Sequence, residues 1–119
     1  MDLDGIEIPE DLDWTDEWSW TPYAQSAGYA LDGTLIVERS EPAAAGRPVT
    51  LQGDTDLAWL QRDTLEALRA KLGDTDMTLT LWDGRQLQVG WRHEDGPIEA
   101  TEYIGTGWFH SIVLRLREV

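Results

Sequence analysis

The chain has no cysteine among its 119 residues, which removes a disulfide framework and thiolate metal sites alike. Basic residues are also scarce: nine Lys and Arg face 23 Asp and Glu, for a formal charge of −14. Such charge repels DNA, RNA and anionic membranes, so ordinary nucleic-acid binding is disfavoured. It suits a surface past which nucleic acid slides without sticking. No apolar run approaches the length of a membrane span, and the opening Met-Asp-Leu-Asp-Gly lacks the features of a signal peptide. An intracellular product, alone or within a larger assembly, is the default expectation.

Signatures of chemistry are missing too. The two histidines, His93 and His110, have no companions at zinc-ligand spacing. Nucleophile-elbow, Walker and dinucleotide-glycine patterns are absent. Asp2-Leu-Asp4-Gly5 and Asp11-Leu-Asp13 faintly suggest calcium ligands but complete no twelve-residue loop. Carboxylates are plentiful, yet abundance is not pairing. The residues therefore point away from an enzyme, with no catalytic, cofactor-binding or metal site, and towards a structural or binding role.

What is present is a foldable chain of one-domain length, with seven tryptophans to supply large buried surfaces. Eight of its acids lie within Met1–Glu17, which has no Lys or Arg, and the remainder carries about −6. Residues 1–16 read as an acidic N-terminal arm, either solvated and frayed or docked on a neighbouring subunit through Leu3, Ile6, Ile8, Leu12 and Trp14. Residues 17–119 read as a single β-sandwich domain.

Along that domain, Glu17–Thr21 alternates and predicts a strand with Trp18 and Trp20 on one face, for core packing rather than a carbohydrate platform. Tyr23–Tyr29, the turn Leu31–Thr34 and the strand Leu35–Glu38 predict a first hairpin. Ser40–Pro48 reads as a loop and Val49–Gln52 as a short strand. Leu57, Trp59 and Leu60 form an apolar lead-in to a helix over about 63–72. Asp63 and Glu66 have the spacing of a capping box there, and Gly73 suits the C′ position.

The second hairpin permits a register argument. A two-residue Asp83-Gly84 loop sets Leu79 opposite Gln88, apolar against polar on one face. A three-residue Trp82-Asp83-Gly84 loop, with Gly84 left-handed in a bulge, pairs Leu79 with Leu87 and Met77 with Val89. The continuous apolar face favours the second. It also puts Trp82 at a partly exposed tip. Ile98–Ile104 and Trp108–Leu116 complete the strands, with Ile112, Leu114 and Leu116 inward and Arg115 and Arg117 outward. Because the chain ends almost on its last strand, that strand's edge is expected to face a partner.

The order is strand, hairpin, long loop, strand, short helix, hairpin, final strand. With Gly46-Arg47-Pro48-Val49-Thr50-Leu51, Leu65 and Leu68 on the helix, and Leu79–Val89, it resembles the tail-tube-like fold of tailed bacteriophages. It is similar in particular to small tail-tip proteins and the ring-forming domain of distal tail proteins, and the resemblance runs from roughly Trp18 to the C-terminus. It implies a mainly β fold, an antiparallel sandwich or barrel flanked by one short helix. It also implies a virion structural protein that forms a homo-oligomeric ring, usually hexameric, at the tail tip or baseplate. Tail-tube, tape-measure and hub proteins would be its neighbours, and DNA would traverse its channel without specific binding. Trp14, Arg47, Trp82, Arg115 and Arg117 are the candidate subunit contacts, the last two facing a neighbour's acids. A carbohydrate-binding sandwich using Trp18, Trp20 or Trp108, or an acidic DNA mimic, is the alternative; acids clustered in the arm disfavour the mimic.

Overall fold

In a computed structural model, which describes residues 1–23, 25–39, 46–56 and 58–119, the chain begins with three two-residue strands. These are β1 (Asp2–Leu3), β2 (Ile6–Glu7) and β3 (Asp13–Trp14). A hairpin of β4 (Gln25–Tyr29) and β5 (Leu35–Arg39) follows, then β6 (Pro48–Gln52) and β7 (Leu60–Gln61). The helix α1 (Arg62–Ala70) leads to a second hairpin, β8 (Met77–Thr80) and β9 (Gln86–Trp91). A short 3-10 turn at His93–Asp95 precedes β10 (Ile98–Glu102) and β11 (Trp108–Glu118). The fold is mainly β with one flanking helix, as the sequence leads one to expect.

The second hairpin has the register that apolar continuity demands. Met77 pairs with Val89 and Leu79 with Leu87. The Leu81 amide donates to the Arg85 carbonyl at 2.8 Å, which leaves Trp82, Asp83 and Gly84 as the loop. Gly84 has φ of 90°, a value that only glycine adopts without strain. The first hairpin repeats the device: Ala30 and Thr34 close a Leu31-Asp32-Gly33 loop, with Gly33 at φ of 86°. In each, the aspartate Oδ1 accepts from the amide two residues on, Thr34 at 3.0 Å and Arg85 at 3.1 Å. Shared loop chemistry gives shared geometry.

All the longer strands except β4 and β5 join one antiparallel sheet, in the order β2-β1-β8-β9-β11-β6-β3, with β10 and β7 also on β11. The final strand is thus the centre of the sheet rather than an edge awaiting a partner. On one side it pairs β10 and then β9; on the other it pairs β7 and then β6. Eleven residues with Ile112, Leu114 and Leu116 fully buried can hold four neighbours, which the chain's terminal position does not reveal.

The amino-terminal segment is the largest departure from expectation. It is neither frayed nor an arm: Met1, Leu3, Ile8, Leu12 and Trp14 all belong to the buried core. Leu3 pairs with Leu79, and Trp14 with Leu51, so the segment supplies both outermost strands of the sheet order. A flat sheet would hold β2 and β3 about 29 Å apart, at roughly 4.8 Å per strand. The chain from Glu7 to Asp13 reaches only about 21 Å when fully extended. The sheet therefore curls strongly, and β2 and β3 do not pair to close it into a barrel. Burial of five apolar side chains, each worth about 1.5–3 kcal/mol, outweighs the charge repulsion within an acidic stretch.

Three local expectations also shift. Glu17–Thr21 is a turn running into irregular chain, with Trp18 89% exposed and Trp20 half-buried, so the alternating pattern builds no strand and no core pair. The helix is capped at Gln61 without a side-chain bond, which leaves Asp63 inside its first turn, and Gly73 is not left-handed. Leu68 is the helix's one fully buried residue, with Leu65 and Leu72 packed beside it. Leu57 and most of the Ser40–Pro48 loop lie outside the described residues.

Candidate interaction site

The hairpin of β4 and β5 forms its own two-stranded sheet. Tyr29, Leu31, Leu35, Ile36 and Val37 on it are all exposed. A compact chain of this length has a radius of gyration of about 13–14 Å. Here it is 18.1 Å, with a long axis of 66 Å against 28 and 27 Å across. The hairpin projects.

Opposite in character is a groove of about 430 Å³ between α1 and the edge strand β10. Leu65, Leu72, Ile98 and Phe109 line its floor, and Arg62, Glu66 and Arg69 its rim. The Arg62 guanidinium lies 5.2 Å from the Phe109 ring centroid and pairs with Glu102 at 3.0 Å. Arg69 has no ion-pair partner among the described residues, whereas Arg47, Arg62, Lys71, Arg85, Arg92, Arg115 and Arg117 all do.

The residues expected at subunit contacts separate into three groups. Trp14 is only 4% exposed, its Nε1 donating to the Pro48 carbonyl at 3.3 Å, so it is a core residue. Arg47 lies over the Trp14 ring and bonds Glu118 Oε2 through Nε at 3.0 Å. Arg115 donates to Glu99 and to the Gly96 carbonyl, both at 2.9 Å, and Arg117 pairs with Glu94. These three arginines meet acids of their own chain rather than a neighbour's. Trp82 is 44% exposed at the hairpin tip, the position that the register argument gives it.

Arg85 ties that tip to the amino-terminal segment. Its Nη1 is 3.0 Å from Glu17 and its Nε 2.7 Å from Asp83. The Glu17 carboxylate raises the Arg85 pKa, and the Arg85 amide lowers that of Asp83. A second polar cluster joins Asp16 to Thr50, whose amide and hydroxyl donate to the carboxylate at 2.9 and 2.6 Å, with Arg92 alongside.

Sequence reading missed an aromatic group. Trp59 packs against Tyr103 and His110 at centroid distances of 5.6 and 5.4 Å, and its Nε1 donates to Thr55. His110 Nδ1 lies 2.9 Å from Ser111 Oγ. Among the described residues no carboxylate orients that histidine, and no three His, Cys, Asp or Glu converge as metal ligands. Of the tryptophans that a sugar platform would use, Trp18 is 89% and Trp108 41% exposed, and Trp20 is half-buried. No helix of the described residues is long and apolar enough to cross a membrane. Compared with family models, curated proteins and solved structures, the chain finds no match.

Proposed function

We propose that this chain is a non-enzymatic structural subunit of a tailed-phage virion, assembled as a homo-oligomeric ring at the tail tip or baseplate. The ring continues the tail tube and its DNA channel. One observation carries the assembly part of this reading: the β4–β5 hairpin stands off the body with five large apolar side chains in solvent. An isolated two-stranded hairpin is marginal in water, and an exposed apolar patch of this kind marks an interaction surface.

The virion part rests on the resemblance of element order and of the Gly46–Leu51 and Leu79–Val89 segments. A strongly acidic exterior, which limits adhesion of passing DNA, accords with it. Because Arg47, Arg115 and Arg117 pair with acids of their own chain, this reading takes the hairpin, not these residues, as the subunit contact.

Electron microscopy of the purified protein, and of particles containing it, tests the reading. Rings of a fixed subunit number are the expected result. A species that stays monomeric in the particle would end it.

A further inference from the structure

We infer that the groove between α1 and β10 is the receptor for the β4–β5 hairpin of a second copy, making a head-to-tail contact. This rests on the assembly reading above and adds the pair of surfaces involved.

The hairpin has two faces. Tyr29, Leu35 and Val37 lie on one, because Tyr29 pairs with Leu35 and Ala27 with Val37. Ile36 and Glu38 lie on the other, with Gly28 opposite Ile36. Gly28 is not left-handed, and a Cβ built there would meet nothing within 4 Å. Nothing in its own chain therefore requires a glycine. A bare strand position beside one apolar side chain suits close approach by another surface.

That face complements the groove. Ile36 is an apolar knob for the floor of Leu65, Leu72, Ile98 and Phe109. Glu38, exposed and two residues along the same face, supplies a carboxylate. Arg69 at the rim is the described side-chain cation left without an acid in a chain where acids outnumber bases 23 to 9. Glu66 shares the rim but is not bridged to Arg69, so the guanidinium is available for an incoming acid. The second-copy occupant follows from this match of knob, carboxylate and free guanidinium within one sequence.

Because hairpin and groove are different surfaces, the contact is heterologous. Repeated copies then close into a ring or extend as a filament.

Absence of cysteine makes the test direct. Two variants, Ile36→Cys and Glu66→Cys, are prepared separately, mixed, and mildly oxidised; each contributes the single thiol of its chain. Covalent dimers are expected in the mixture and not in either variant alone. In parallel, Arg69→Glu and Glu38→Arg are each expected to weaken self-association at least tenfold by sedimentation. Combining both in one chain is expected to restore it. Assembly that persists with crosslinks only between Ile36→Cys chains would overturn the groove while leaving a ring intact. So would assembly indifferent to both charge reversals. A wild-type protein that remains monomeric at every concentration, and in the particle, would overturn the assembly reading itself.

Discussion

The Arg47 guanidinium lies over the Trp14 ring, 4.8 Å from its centroid, and so seals a tryptophan of the amino-terminal segment against the start of β6. Two residues expected to reach a neighbour instead satisfy each other. Trp14→Ala is expected to cost about 3–5 kcal/mol, as for other buried tryptophans. Arg47→Ala is expected to cost about 1 kcal/mol from the lost cation–π contact and the part-buried pair with Glu118. Denaturant titration followed by fluorescence separates the two. Equal, small effects would return Trp14 to the surface.

Deleting residues 1–14 is expected to abolish cooperative unfolding, because it strips Met1, Leu3, Ile8, Leu12 and Trp14 from the core and exposes the edges of β8 and β6. Circular dichroism and calorimetry of the truncated chain check this. A soluble remainder with a sharp transition would show that the segment is dispensable.

At the tip of the second hairpin, Gly84→Ala forces an L-residue to φ of 90°. The expected loss is about 1–2 kcal/mol, the usual cost of a left-handed L-residue. Gly73→Ala is the control: Gly73 is not left-handed and its Cβ would meet nothing within 4 Å, so that change is expected to be neutral or stabilising. Paired thermal melts give both values from one preparation.

Acid should weaken the same tip. The Arg85 amide, and then its guanidinium, hold the Asp83 carboxyl below the usual aspartate range. A depressed folded pKa stabilises above the unfolded value, about 3.9, and that contribution is lost as pH falls through the folded one. Asp83→Asn should therefore be less stable than wild type at pH 7, and the gap should narrow as pH drops below about 4. A gap independent of pH would mean that Asp83 acts by shape and not by charge.

Much of the local structure is legible in the sequence. The register of Met77–Trp91 follows from apolar continuity across Leu79 and Leu87, because a one-residue slip turns a strand's side chains to the wrong face. The Asp-Gly loops are equally local, since φ near 90° selects glycine whatever surrounds it. Trp82 at a tip is a consequence of that register.

Tertiary structure decided the rest, because it depends on which distant strands compete for the same surface. Acidity and sparse apolar spacing made Met1–Thr15 read as an arm, yet five apolar side chains on two short strands suffice to complete a curled sheet from both ends. Likewise Trp18 and Trp20 alternate as a strand would, but neither lies in a strand and Trp18 stays in solvent. Arg115 and Arg117 point outward as alternation requires. Only the fold of the 3-10 turn and β10 brings Glu94 and Glu99 to meet them. Pattern within one segment settles its local form; partners far along the chain settle whether a side chain is core, clamp or contact.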